Sequence, residues 1–172
     1  SAGEYDLSLL LRVCGAAGGL LEVGRSCVHA DYRTHATIQL LWRGIAAYIA
    51  EHRISHLFGC ASLPGTDPGR HDVPLSYLYH QHLAPPACRV RALDNRWVNM
   101  ARLPAGKATW QAAVSELPPL IKGYLRLGAY VGDGAVVDPE FGTTDVFILL
   151  PVSRIAPRYL SHFEREDAFA AE

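Results

Sequence analysis

The chain has 172 residues, of which 49% are hydrophobic, and its 16 basic and 17 acidic residues give a formal net charge of -1. This length supports one domain with a hydrophobic core, so we treat residues 1–172 as a single domain. The balanced charge argues against a nucleic-acid-binding protein, which would carry an excess of Lys and Arg for phosphate contacts. The apolar stretches are far shorter than the roughly 20 residues that a membrane-spanning helix needs.

The first predicted elements are a short arm and a buried strand. Residues 4–13 are typical of a short helix or an extended arm, and Gly and Ala residues follow it. The apolar run from Leu20 to Val28 predicts a buried strand. Glu22, Arg25 and Ser26 interrupt that run, and a buried strand normally excludes such side chains because an unpaired buried charge is costly. We therefore expect the functional site at this strand.

A long amphipathic helix and a second strand come next. Apolar residues at 38, 41, 45 and 49 have helical spacing, and Trp42 and Tyr48 widen the apolar stripe. Ile54 to Leu63 predicts a second buried strand. A strand, a helix and a strand in this order predict parallel pairing with a right-handed crossover. The start of the helix is also a favourable place to bind an anion.

The second half of the chain alternates helices, loops and strands. Its predicted elements are a loop over 64–69, a helix over 75–83, a basic and mobile surface insertion over 88–106, a helix over 108–117, a helix that becomes a strand over 120–131, two strands joined through 138–142, and a polar or disordered tail over 154–172. The four cysteines are Cys14, Cys27, Cys60 and Cys88. They are widely spaced, which indicates free thiols in a reducing cytoplasm.

Several blocks of the sequence resemble a known family. They are LLWRGIAAYI in the predicted helix, GCASLPGTDP in the second strand and its loop, and the later LPPLIKGYLRLGAYV and DPEFGTTDVFILLP. From about Glu4 to about Phe163 the chain resembles the ornithine lipid-type N-acyltransferases, which are often labelled hemolysins. These belong to the GNAT-like superfamily, near the acyl-homoserine-lactone synthases. The resemblance implies a GNAT-like α/β fold, with a mixed sheet flanked by helices. It also implies transfer of an acyl chain from acyl carrier protein to the α-amine of an amino acid such as ornithine, for aminolipid synthesis.

The chain departs from this family at two places. Relatives have further strands and helices upstream of the strand that contains Glu22, so the N-terminal strands of the fold are missing here. An exposed strand edge tends to recruit another chain, and we therefore expect a homodimer or another compensating contact. In addition, residues 33–38 match neither glycine position of the coenzyme A pyrophosphate loop. A looser loop suits the single phosphate of phosphopantetheine better than a pyrophosphate.

The resemblance and the residues together place the chemistry on the first predicted strand. We predict that Glu22 is the base that deprotonates the acceptor amine, because burial would raise the pKa of its carboxyl group toward neutrality. A Glu22–Arg25 ion pair without a catalytic task is the alternative. Arg25 is the candidate for holding the acceptor carboxylate, and Ser26 for positioning the carbonyl or donating to the leaving thiolate.

The donor is expected to lie along the following residues. Main-chain N–H groups around Cys27, Val28 and His29 would bind the thioester oxygen and the pantetheine amides. Arg33, at the mouth of the long helix, is the candidate phosphate ligand. We expect no permanently bound cofactor. The donor is the acyl-phosphopantetheine of acyl carrier protein, or acyl-CoA.

Four further residues complete the predicted site. Lys122 and Arg126 lie one helical turn apart and would contact the acidic carrier protein, whereas a solvated helix face is the alternative. Asp138 and Asp145 flank the last predicted turn, and we rank them second because Asp at turns usually caps the local backbone. The predicted location is cytoplasmic, with peripheral contact to the inner membrane.

Other functional classes fit the sequence less well. A serine hydrolase needs a second glycine in the G-x-S-x-G pattern, which is absent after Ser26. A zinc site would have to draw on dispersed residues, and His80 and His82 lie on different faces of a helix, so we predict no metal site. The serious alternative is a non-catalytic module or inactive fragment that holds an acyl carrier protein or a lipid.

Overall fold

The computed structural model describes residues 1–24, 27–105 and 107–156, without the side chains of His35, Ile38 and residues 107–110. The strands in these ranges are β1 (Tyr5–Asp6), β2 (Gly19–Glu22), β3 (Ile54–Pro64), β4 (Arg91–Ala92), β5 (Tyr130–Asp138) and β6 (Thr143–Pro151). The α-helices are α1 (Ser8–Val13), α2 (His35–Glu51), α3 (Asp72–His82), α4 (Lys107–Glu116) and α5 (Pro119–Arg126).

The strands form one mixed sheet in the order β1-β4-β5-β6-β3-β2. β6 pairs antiparallel with both β3 and β5, whereas β2 runs parallel to β3 and β4 runs parallel to β5. The predicted mixed sheet flanked by helices is confirmed, as is the parallel pairing of the two strands on either side of α2. β2 stands at the end of this order, so the described strands leave one of its edges unpaired.

One face of the sheet, which we call the helix face, packs against α2, α3 and α5. The strand residues on it are Leu57, Ala61 and Leu63 of β3 and Val146, Ile148 and Leu150 of β6, and the helices contribute Ile49, Leu75, Leu78 and Ile121. Alternate residues of a strand point to the same face, which explains the spacing of two along β3 and β6. Each of the Leu, Ile and Val side chains stabilises the fold by about 1.5–3 kcal/mol when it is fully buried.

The opposite face of the sheet packs a second, aromatic core. Phe147 of β6 is fully buried, and its ring centroid lies 5.2 Å from that of Tyr5 and 5.9 Å from that of Phe58. Leu10 of α1 covers the same cluster. This apolar cover extends over only part of the face, because Asp145 comes next to Phe147 in the alternation of β6.

The long helix α2 is capped at its start and only partly covered along its length. The Thr34 hydroxyl accepts a hydrogen bond from the Thr37 N–H at 3.2 Å, an N-cap that stabilises a helix by about 1 kcal/mol. Ile49 is buried, but Leu41 and Tyr48 are 47% and 46% exposed. The predicted apolar stripe therefore exists as a helix face, but Leu41 and Tyr48 leave part of it open beside β2.

The segment 88–106 differs from its predicted role as a mobile surface insertion. β4 hydrogen-bonds into the sheet between β1 and β5, and Val90, Ala92 and Met100 are buried. The prediction was wrong because three isolated apolar residues in a basic stretch make no periodic pattern. The helices predicted over 75–83, 108–117 and the start of 120–131 are confirmed as α3, α4 and α5. Residues 157–172 of the predicted tail lie outside the described structure.

None of the described helices combines the length and the hydropathy that crossing a membrane requires.

Candidate functional site

A wide cleft opens on the face of the sheet opposite the helices, at the end where β5 turns into β6. It contains about 1200 Å³ of open space. The polar residues that line it are Glu4, Glu22, Cys60, Ser62, Arg96, Asp138, Thr143 and Asp145. The cleft begins where the aromatic residues of this face end. Its floor is formed by polar residues of the neighbouring strands β3, β5 and β6.

The strand register brings the residues of the cleft floor together. Ser62 of β3 is paired with Asp145 of β6, and Thr143 of β6 is paired with Asp138 of β5. Thr143 and Asp145 share a face with Phe147, since side chains alternate along a strand. Residues far apart in the chain therefore meet on one surface.

Three carboxylates form the most acidic part of the cleft, which we call the acidic cluster. One oxygen of each of Glu4, Asp138 and Asp145 lies within 4.8 Å of the other two. Asp145 is only 7% exposed, and its Oδ1 has no hydrogen-bond partner among the described atoms. The hydroxyl of Thr143 is buried without a partner as well. Unpaired buried oxygens of this kind are costly, and a cation would relieve that cost.

The two aspartates of the β5–β6 hairpin have different environments. Asp138 ends β5, and its Oδ1 accepts hydrogen bonds from the N–H groups of Glu140 and Phe141 at 2.9 and 3.1 Å. This is the local turn capping that the sequence favoured. Asp145 lies in the strand that follows the turn, as the sequence predicted, and it is buried.

Cys60 lies on β3 between the aromatic core and the acidic cluster. Its thiol donates a hydrogen bond to Glu4 Oε2 at 3.3 Å. Burial raises the pKa of the Cys60 thiol to about 12, and the neighbouring Glu4 carboxylate also raises it. A thiol with this pKa stays protonated, so it orients Glu4 as a donor and is a poor nucleophile.

Glu22 lines the same cleft from the edge strand β2. Its carboxylate is 46% exposed, and Oε1 lies 3.0 Å from the main-chain nitrogen of Ser1. The expected burial of this side chain was wrong, because β2 is an edge strand in this sheet rather than a central one. The position of Glu22 on the cleft is what supports a role in the chemistry.

The predicted donor-binding residues follow β2. Arg25 and Ser26 lie outside the described residues. Cys27, His29 and Arg33 are exposed, and Arg33 Nε donates a hydrogen bond to the main-chain oxygen of Val28 at 3.0 Å. This contact holds Arg33 near the end of the strand and close to the start of α2, where an anion is favoured.

A small apolar pocket lies on the helix face where the end of β2 meets the middle of β3. It is lined by residues that include Val23, Gly59 and Tyr124. The main chains approach so closely there that a Cβ on Gly59 would lie 2.5 Å from the Val23 oxygen. Glycine at position 59 therefore sets the spacing between the strand that carries Glu22 and its neighbour.

Lys122 and Arg126 lie on α5, as predicted, and line a separate groove of about 520 Å³ with Tyr77 and His82. Lys122 Nζ donates a hydrogen bond to the main-chain oxygen of Ser115 at 3.1 Å. The structure does not bring these two cations to the cleft. They form a different surface of the molecule.

Sequence reasoning missed two charged residues of the cleft, Glu4 and Arg96. Glu4 precedes a strand of only two residues, which is too short to show periodicity. Arg96 lies in the segment that was interpreted as a surface insertion. The only signal was their charge, and single charged residues are too common to indicate a site.

Among the described residues, the acidic cluster is the one group of three potential metal ligands. The cysteines and histidines considered for zinc do not gather there.

Comparison with known proteins identifies relatives that match nearly the whole chain. It is 48% identical over 166 residues to an L-ornithine N(alpha)-acyltransferase of Brucella abortus, 46% over 167 residues to one of Agrobacterium fabrum, and 43% over 162 residues to one of Rhodobacter capsulatus. The chain is similar to the L-ornithine N(alpha)-acyltransferases over nearly its whole length. These alignments cover 96%, 96% and 94% of this chain. They confirm the resemblance that the sequence blocks indicated.

The homology covers only part of these acyltransferases. The chain spans 59%, 56% and 61% of the length of the three relatives. A family model described as an acetyltransferase (GNAT) domain matches residues 1–43, which include β2 and the start of α2. This match and the mixed sheet confirm the predicted GNAT-like α/β class. No solved structure matches the sequence.

Proposed function

We propose that this chain is part of an N-acyltransferase that moves an acyl group from a thioester to the α-amine of ornithine or a similar amino acid. The observation that carries the proposal is the similarity of nearly the whole chain to L-ornithine N(alpha)-acyltransferases. The cleft supports it, because a carboxylate candidate for the base, Glu22, lies beside an acidic cluster suited to a cationic substrate.

The proposed reaction is direct attack of the amine on the thioester. Glu22 takes one proton from the acceptor ammonium, and the nitrogen lone pair then attacks the thioester carbonyl carbon. The new C–N bond forms, the C–S bond breaks, and the departing thiolate takes a second proton from the nitrogen. The products are an amide and a free thiol, with one proton released from Glu22 to solvent. The high pKa of the Cys60 thiol supports a route without an acyl-cysteine at that position.

We propose acyl carrier protein as the donor of a 3-hydroxyacyl chain, with acyl-CoA as the alternative donor. Arg33 at the start of α2 would bind the donor phosphate, and main-chain groups at Cys27 to His29 would bind the pantetheine arm. Lys122 and Arg126 offer positive charge for an acidic carrier protein. A product of this kind serves aminolipid synthesis, which favours a cytoplasmic enzyme in peripheral contact with the inner membrane.

A transfer assay tests the proposal. The chain is incubated with ornithine and either 3-hydroxyacyl carrier protein or the matching acyl-CoA, and N-acylated ornithine is followed by mass spectrometry. We expect product, and we expect Glu22→Gln to lower the rate by about 10²–10⁴-fold, the usual contribution of a general base.

Glu51→Gln is the matched control, because Glu51 is an exposed carboxylate at the end of α2, away from the cleft. Its activity should equal that of the parent chain. Ornithine that stays unmodified with both donors, although the chain binds them, would favour a non-catalytic binding module. A covalent acyl adduct on Cys27 or Ser26 would contradict direct attack.

A further inference from the structure

The acidic cluster concentrates negative charge where water is largely excluded. Oxygens of Glu4, Asp138 and Asp145 lie within 4.8 Å of one another, and Asp145 is 7% exposed. Like charges at this distance repel, and burial strengthens the repulsion. The structure keeps them together by strand pairing and by the Cys60 thiol, which donates to Glu4.

Two unpartnered oxygens point to a missing donor at this place. Asp145 Oδ1 and Thr143 Oγ1 are both buried, and neither has a hydrogen-bond partner among the described atoms. A primary ammonium has three N–H donors and one positive charge, so it satisfies several such oxygens at once. A carboxylate hydrogen-bonded to a cation contributes more than a neutral hydrogen bond does.

Arg96 adds the opposite charge to the same cleft. Its side chain is exposed and lines the cleft together with the acidic cluster. No hydrogen bond or ion pair joins its guanidinium to any other described residue. A free guanidinium presents a planar pair of donors that matches a carboxylate.

We propose that the cleft selects a diamino acid by both of its charged ends. The acidic cluster binds the side-chain ammonium, and Arg96 binds the α-carboxylate, which leaves the α-amine for acylation. This inference rests on the proposed function, since it specifies how the acceptor of that reaction is recognised.

The charges of the cleft favour an ammonium over a divalent metal ion. A metal would be repelled by Arg96 in the same cleft, whereas an amino acid carries both the cation and the anion that the two groups require. Mg²⁺ also prefers an octahedron of oxygens and keeps several of its waters. One oxygen from each of three carboxylates, beside a thiol, does not provide that shell.

Calorimetric binding to the whole chain tests the inference without requiring turnover. L-Ornithine is compared with L-norvaline, which has the same carbon chain and no side-chain amine. We expect Asp145→Asn to weaken ornithine binding by about 10- to 100-fold, the usual worth of a hydrogen bond to a charged group, and to leave norvaline binding unchanged. Arg96→Gln should weaken the binding of both ligands by similar factors.

Glu140→Gln is the matched control, because it removes one exposed carboxylate from the same hairpin without touching the cleft. It should bind ornithine like the parent chain. Glu4→Gln is the second variant of the acidic cluster and should repeat the effect of Asp145→Asn if the latter fails to fold.

The inference is overturned if the folded variants Asp145→Asn and Glu4→Gln weaken the binding of ornithine and of norvaline equally, or if they weaken the binding of neither ligand. It is also overturned if Mg²⁺ or Ca²⁺ binds the cluster tightly and displaces ornithine, which would make it a metal site. Failure of the proposed function has a different signature. In that case the chain still binds ornithine with the predicted selectivity but forms no acylated product with any donor.

Discussion

The two faces of the central sheet are built from the same strands and differ at one end. On the helix face, β6 presents Val146, Ile148 and Leu150, all buried against helices. On the opposite face the same strand presents Leu149 and Phe147, and then Asp145. The helix face of β6 is apolar from Val146 to Leu150, whereas the other face changes from aromatic core to acidic cleft within two residues. The apolar core of the sheet therefore fixes the position of the polar residues in the cleft.

The largest expected effect is on stability, and it distinguishes Phe147 in the aromatic core from Asp145 in the cleft. Phe147→Ala should lower the free energy of unfolding by about 3–5 kcal/mol, because it leaves a cavity between Tyr5 and Phe58. Asp145→Asn, two residues away, should change it by less than about 1 kcal/mol, since it removes an unpaired buried charge. Urea unfolding followed by circular dichroism measures both. Equal losses would mean that Asp145 is part of the core rather than of a binding site.

A smaller effect is expected where β2 meets β3. Gly59→Ala should cost about 1–3 kcal/mol, because its Cβ would lie 2.5 Å from the main-chain oxygen of Val23. The change should also shift Glu22 and reduce acyl transfer more than stability alone explains. The control is Gly44→Ala in α2, where nothing lies within 4 Å of the added Cβ. It should stabilise the chain by about 0.5–1 kcal/mol. A Gly59→Ala variant as stable as the parent would contradict the close approach of the two strands.

The smallest effect concerns the reactivity of the Cys60 and Cys27 thiols. At pH 8, four units below its pKa of about 12, only about one Cys60 thiol in ten thousand is ionised, and each further pH unit should raise its alkylation rate about tenfold. Cys27 is exposed and should react first with iodoacetamide. Peptide mass spectrometry after timed quenching gives both rates. Fast labelling of Cys60 at pH 8 would contradict its burial beside Glu4.

The family resemblance and most secondary structure could be predicted, because both depend on local patterns. Apolar spacing over a few residues identified α2 and β3, and Pro and Gly marked the turns between later elements. The same reasoning placed Glu22 in a buried strand, and there it was wrong. The sequence of a strand does not show whether it pairs with another strand on one side or on both sides.

The sequence by itself determined the order of the longer helices and strands and the resemblance of the chain to a known family. Only the tertiary structure decided that Glu4, Asp138 and Asp145 share one cluster and that Arg96 lines the same cleft. The physical reason is strand pairing: β4 pairs with β1 and β5, and β6 pairs with β5 and β3. These long-range contacts bring together residues more than a hundred positions apart. No periodic pattern in the sequence predicts such contacts.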